Sequence, residues 1–248
     1  MVASFLLAVQ FLTRLPVPLR RAPTQSQLRW ATAFYPLVGI LIGLGVAGAF
    51  RLISAAFAAE AAIVSALAFG VMLTGGLHED GLADCADAFG AGGTKERMLE
   101  IMRDSRIGTY GALSLILLFL FRFVLLSGLP TAAVESSLLL AHAGGRFSAT
   151  LLARLFPAAR DSGLGTSFAS KVGLAQILAG LLTLAGFGFW VSGNSFALLL
   201  LPGLGAAVLF SLYCWRKVGG LSGDALGAAV VIFEVATYCA FAYQGAAS

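Results

Sequence analysis

Long apolar runs alternate with short polar connections along most of the chain. Seven runs, at about 31–50, 59–77, 111–128, 134–153, 172–191, 196–214 and 225–243, come close to the roughly 20 residues a helix needs to cross a hydrocarbon layer of about 30 Å. The fourth is the least apolar. Glu135, His142, Gly144-Gly145 and Arg146 interrupt it, and it reads as a span only beside its neighbours. The opening run, Phe5 to Leu12, is too short to span and is stopped by Pro16 and Pro18, so it predicts an interfacial or re-entrant helix. It has neither a basic start nor a small-residue cleavage pattern, so it is expected to be retained rather than removed as a signal peptide. The pattern predicts an all-α polytopic membrane bundle of about seven transmembrane helices, one domain over 1–248.

Composition supports this and excludes a soluble core. Of 248 residues, 59% are hydrophobic and 11% charged, against roughly 25% charged in ordinary soluble domains. The net charge of +4 does not point to nucleic acid, because the 16 Lys and Arg form no stripe with interleaved aromatics. Their distribution reads as topology. With the N-terminus in the cytoplasm, segments 1–30, 78–110, 154–171 and 215–224 lie inside and hold all the basic residues except Arg51, Arg122 and Arg146, as the positive-inside rule requires. Cys85, Cys214 and Cys239 are scattered and suggest neither a disulfide framework nor a thiolate metal site.

Segment 78–110 is the one sizeable polar excursion, and it is expected to form a cytoplasmic helical hairpin. Asp80, Asp84 and Asp87 are spaced i, i+4, i+7, which places them on one face of a helix. Stacked like charges destabilise a helix unless a cation compensates them, and Mg²⁺ prefers such oxygen donors, commonly beside substrate phosphates; the alternative is a solvated acidic face, or one neutralised by the nearby arginines. Glu79 lies roughly 100° from that stripe and is the weaker ligand candidate. His78 reads equally well as a base or as an interfacial side chain. After Gly90-Ala91-Gly92-Gly93, Thr94 is a candidate N-cap for a second helix over Lys95 to Arg106. In Arg103-Asp104-Ser105-Arg106, two arginines flank a carboxylate, a pattern suited to phosphate oxygens or to an internal salt bridge.

Three charged residues fall inside apolar runs. Glu234 should lie about 15 Å along the last helix from Asp224, with Arg122 and Arg146 at comparable depth. Because a lone charge in hydrocarbon is expensive, Glu234 is expected to pair with Arg122 or Arg146, or to line a wet cavity with them. Asp224 itself could cap the last helix.

The motifs Gly75-Gly76-Leu77-His78-Glu79-Asp80-Gly81-Leu82-Ala83-Asp84, Ala86-Asp87-Ala88-Phe89-Gly90 and Glu100 to Gly111 resemble the cobalamin synthase family of adenosylcobinamide-GDP ribazoletransferases. Phe11 to Pro16, Phe34 to Gly39 and Gly223 to Ala228 extend the likeness through most of the chain. Val230-Val231 and Leu221-Ser222 depart from the family pattern, where polar residues and a Gln-Thr-like pair are favoured. The resemblance implies a Mg²⁺-dependent enzyme of the cytoplasmic (inner) membrane with its active site in the cytoplasm. It would join adenosylcobinamide-GDP to α-ribazole or its 5′-phosphate and release GMP. It further implies metal binding by Asp80, Asp84 and Asp87, with His78 and Asp104 as the catalytic candidates. Arg14, Arg103, Arg106, Arg146, Asp224 and Glu234 would serve substrate binding. The corrinoid would occupy a cavity beneath the 78–110 hairpin, in a homo-oligomer or in a complex with other cobalamin-assembly enzymes.

Two rival readings have some motive. A CDP-alcohol phosphatidyltransferase also uses spaced aspartates, but here Asp84 stands near where that signature places an arginine. A transporter would explain buried charges, yet the sequence has no repeated halves or paired broken spans.

Overall fold

The computed structural model describes residues 1–18, 22–159 and 172–247. Arg20, Arg21, Arg160 and Lys171, counted above among the cytoplasmic basic residues, lie outside the described residues. The described helices are α1 (Val2–Leu12), α2 (Gln25–Ala31), α3 (Tyr35–Ser54), α4 (Ala59–Thr74), α5 (Leu77–Ala91), α6 (Lys95–Ile101), α7 (Thr109–Ser127), α8 (Thr131–Leu155), α9 (Leu174–Ser192), α10 (Phe196–Val218) and α11 (Gly223–Ala247). No strand occurs among the described residues.

Each of the seven apolar runs coincides with a helix. Four helical segments are long and apolar enough to cross a membrane: Gln25–Ser54, Thr109–Ser127, Leu174–Val218 and Gly223–Gly245. A fifth is added if α4 and α5, bent by 89° at their junction, form one broken span. Leu174–Val218 runs to 45 residues because α9 and α10 are joined through the short 3₁₀ turn Gly193–Ser195. α8 falls short on apolarity, since Glu135, His142, Arg146 and Arg154 all lie on it. The chain is a multi-pass helical membrane bundle.

α8 lies at the centre. It packs on α3, α9, α10 and α11, and it is buried from Leu140 to Ser148. Its approach to α3 needs a residue without a side chain: a Cβ on Gly39 would sit 2.9 Å from Ala143 Cα. One core cluster lies around α3 with Val38, Ile42, Val46 and Phe50, and a second around α10 and α11 with Leu199, Ala207, Ala228 and Phe233. α1 adds Leu7, Ala8 and Leu12 to the first cluster, consistent with a short helix that docks on the bundle.

Three expectations are corrected here. The run 59–77 is not one straight helix, because Gly75 and Gly76 both adopt left-handed φ, +69° and +67°, which ends α4 and turns the chain into α5. Only residues tolerant of positive φ turn a helix so sharply. The 78–110 segment is also not wholly a surface hairpin. The small residues Gly81, Ala83, Cys85 and Ala88 are buried, so α5 sinks between α7 and α11. A Cβ on Gly81 would lie 2.6 Å from the Asp224 carbonyl oxygen. α6 ends at Ile101 rather than continuing to Arg106.

Candidate active site

α5 carries the acidic motif, and its packing divides that motif into three environments. His78 and Glu79, in its first turn, face the bundle. Asp80 is exposed and Asp84 half-buried on the next two turns. Asp87, in the last third of α5, is half-buried and accepts hydrogen bonds from the backbone N–H groups of Gly108 at 2.7 Å and Gly111 at 2.8 Å. Its carboxylate therefore satisfies two otherwise unpaired amides at the start of α7.

The inward side of α5 meets a network of buried polar groups drawn from four helices. Arg122 of α7 donates through Nη1 to Glu79 Oε1 at 2.9 Å and through Nη2 to Glu234 Oε2 of α11 at 2.5 Å. Arg146 of α8 donates through Nη1 to Glu234 Oε1. His142 Nδ1, one turn earlier on α8, lies 2.9 Å from that same oxygen and 2.8 Å from Arg146 Nη1. His78 Nδ1 stands 3.5 Å from Arg146 Nη2. Glu234, Arg122 and Arg146 are 2%, 3% and 2% exposed, so this is a desolvated cluster. Two carboxylates face two guanidiniums, which balances formal charge where an unpaired charge would be prohibitive. Glu234 pairs with both arginines, as the depth argument required of at least one.

The network thus takes in three residues singled out for catalysis or substrate contact. His78 is 6% exposed and packs against α11, with Gly227 beside its backbone. Arg146 and Glu234 are committed to each other. Two members carry roles that the sequence pattern does not show. Glu79 is the half-buried anchor of α5, and its 100° offset from the aspartate stripe is what turns it inward. His142 received no role, although its i, i+4 spacing to Arg146 places both on one helix face.

The remaining candidates lie toward the loops. Asp104 and Arg106 form an exposed pair, with Arg106 N, Nε and Nη2 all donating to the Asp104 carboxylate and the Nη2 contact at 2.6 Å. Those hydrogen bonds hold the Asp104 carboxyl at about 2, below the usual carboxylate range. Arg103 is exposed. Arg14 donates its backbone N–H to the Leu73 carbonyl at 2.8 Å and lays its side chain over Gly75, at the hinge into α5. Asp224 is half-buried in the first turn of α11. The cap at that end is Ser222, whose Oγ accepts from Ala225 N at 3.1 Å. Thr94 caps α6 as expected, accepting from Arg97 N at 3.3 Å. The contact of α5 with α11 is closed by packing of Gly81 on the Asp224 backbone. Among the described residues no three His, Cys, Asp or Glu side chains converge into a metal cage.

Fold and site together define a multi-pass helical membrane protein in which a carboxylate-bearing helix is anchored to the bundle by buried ion pairs and followed by an exposed arginine loop. The family model described as cobalamin-5-phosphate synthase matches residues 4–242. The chain belongs to that family. It is 40% identical to an adenosylcobinamide-GDP ribazoletransferase of Shewanella amazonensis over 250 residues, covering 94% of this chain and 92% of the relative. The proteins of the same name from Ralstonia nicotianae and Caldanaerobacter subterraneus are 38% and 32% identical over similar shares, 94% and 92% for the first, 96% and 97% for the second. No solved structure matches the chain.

Proposed function

We propose that this protein is an adenosylcobinamide-GDP ribazoletransferase, which joins adenosylcobinamide-GDP to α-ribazole or its 5′-phosphate and releases GMP. The observation that carries the reading is the end-to-end likeness to relatives of that name, which includes the whole acidic helix and the arginine loop. In the reaction a ribazole hydroxyl oxygen bonds to the phosphorus attached to cobinamide. The bond from that phosphorus to the GMP oxygen breaks, and the hydroxyl proton passes to a base. Such a displacement needs positioning and neutralisation of a diphosphate more than covalent help from the protein.

Asp80 and Asp84 fit a Mg²⁺ ion. They offer hard oxygen donors one helical turn apart on the outer part of α5, and Mg²⁺ is usually held by one or two carboxylates completed by substrate phosphates rather than by an all-protein cage. Bound there, the ion would neutralise charge on the diphosphate and the departing GMP. Arg103 and Arg106 would grip phosphate oxygens, with Asp104 orienting the Arg106 fork. A carboxyl that titrates near 2 is a weak proton acceptor at neutral pH, and His78 is turned into the bundle. Neither residue is therefore assigned the hydroxyl proton. The distribution of basic residues supports a seven-crossing arrangement in the cytoplasmic membrane with the N-terminus and α5 loop inside. The protein purified in detergent, supplied with adenosylcobinamide-GDP and α-ribazole phosphate, should release GMP and form the joined corrinoid only when Mg²⁺ is present. A folded protein that yields neither product overturns the reading.

A further inference from the structure

We infer that Asp87 is a positioning residue, a clamp that closes the arginine loop onto α5, and not a metal ligand. This rests on the transferase reading for its consequence but not for its geometry. α5 and α7 run antiparallel, and the polar loop 92–108 leaves from the end of one and returns at the start of the other. The Asp87 carboxylate sits at that neck, with Oδ2 accepting from Gly108 N at 2.7 Å and Oδ1 from Gly111 N at 2.8 Å. Both oxygens are therefore engaged with backbone amides from the far side of the loop.

The neighbouring residues are shaped to this contact. A Cβ on Gly108 would lie 2.5 Å from Asp87 Oδ1, and one on Gly111 would meet Oδ2 and stand 3.0 Å from the Ala83 carbonyl. On the other face of the neck, a Cβ on Gly90 would meet the Tyr110 ring, at 2.5 Å from Cδ2. Three glycines thus permit the approach that lets one carboxylate span two amides. The clamp fixes where the chain re-enters the bundle, and so where Arg103 and Arg106 stand relative to Asp80 and Asp84. The i, i+7 spacing that puts Asp87 on the aspartate stripe also points it at α7, and the helix start takes up both of its oxygens.

The test uses the full chain in nanodiscs, with Asp87→Asn, Gly108→Ala and Asp84→Asn compared with the parent. Asp87→Asn replaces one acceptor by a donor facing an N–H, and Gly108→Ala crowds the carboxylate without removing it. Both should speed trypsin cleavage after Arg103 and Arg106 by roughly fivefold or more, with cleavage after exposed Arg154 unchanged. Both should also lower kcat/KM for GMP release by a similar factor, at an unchanged Mg²⁺ half-saturation. Asp84→Asn should leave the tryptic pattern alone. The inference is overturned if Asp87→Asn keeps the parental tryptic pattern and raises the Mg²⁺ half-saturation. It is equally overturned if cleavage after Arg154 accelerates in step, which would assign the carboxylate to the fold as a whole. A parent that releases no GMP sinks the transferase reading, while the tryptic comparison still decides the clamp.

Discussion

Arg122 Nη1 donates to Glu79 Oε1 at 2.9 Å, tying the middle of α7 to the first turn of α5 one residue before Asp80. The same guanidinium holds Glu234 through Nη2. Removing it strands two carboxylates where neither water nor another cation replaces it fully. Arg122→Leu should destabilise the protein by about 3–5 kcal/mol, the usual cost of breaking one side of a buried ion pair. That corresponds to a fall in apparent Tm of roughly 10 °C for a chain of this size. Thermal denaturation in detergent measures it, and an unchanged Tm would mean that the network does not hold α5.

Much of the fold was legible because a membrane imposes a simple rule, that backbone polar groups be satisfied within helices. The run 111–128 became α7, and the run 225–243 became α11, within a few residues. The Gly75-Gly76 bend was harder to read, since both glycines sit inside an apolar run whose hydropathy does not register φ. Charge balance in hydrocarbon made the partners of Glu234 legible. The roles of Glu79 and Asp87 were not, because both depend on α7, through Arg122 and Gly108, which lie 43 and 21 residues away. Spacing along one helix does not reveal which neighbour covers each face.

The contact of α3 with α8 offers a test of the buried network from outside it. A Cβ on Gly39 would press on the backbone of His142 and Ala143. Helix backbones cannot move aside as a flexible side chain can, so Gly39→Ala should lower stability by about 1–3 kcal/mol, the usual range for overpacking. Because His142 touches Glu234, turnover should fall as well. A Gly48→Ala control, where nothing lies within 4 Å, should leave turnover unchanged and stability equal or slightly raised.

The Asp104 and Arg106 pair makes a prediction about pH. Its carboxyl is held at about 2 in the folded protein, chiefly by hydrogen bonds from Arg106, below an unperturbed value near 3.9. For a depressed acid, the favourable contribution is present above the unfolded value and is lost as pH falls through the folded one, here between about 4 and 2. Asp104 therefore stays ionised throughout the neutral range. Asp104→Asn should raise KM for adenosylcobinamide-GDP about tenfold by loosening Arg106, and should leave the pH profile of kcat between about 5 and 8 unmoved. An acid limb that disappears in this variant would make Asp104 the proton acceptor after all.

Asp84→Ala tests the metal reading apart from the structural roles of Glu79 and Asp87 on α5. Asp84 is half-buried and engages a neighbour, while alanine's higher helix propensity favours retention of α5, so the variant should still insert and fold. Loss of an outer-shell partner of a metal ligand already costs about 10–100-fold in affinity or activity. Loss of a carboxylate ligand that shares the ion with only one other should therefore remove Mg²⁺-dependent turnover by at least about 100-fold. The decisive comparison is with Arg122→Leu, which should lose stability first, whereas Asp84→Ala should lose turnover far out of proportion to any change in Tm. Near-parental GMP release by a well-folded Asp84→Ala protein would remove that residue from the metal site and leave Asp80 as the remaining α5 ligand to test.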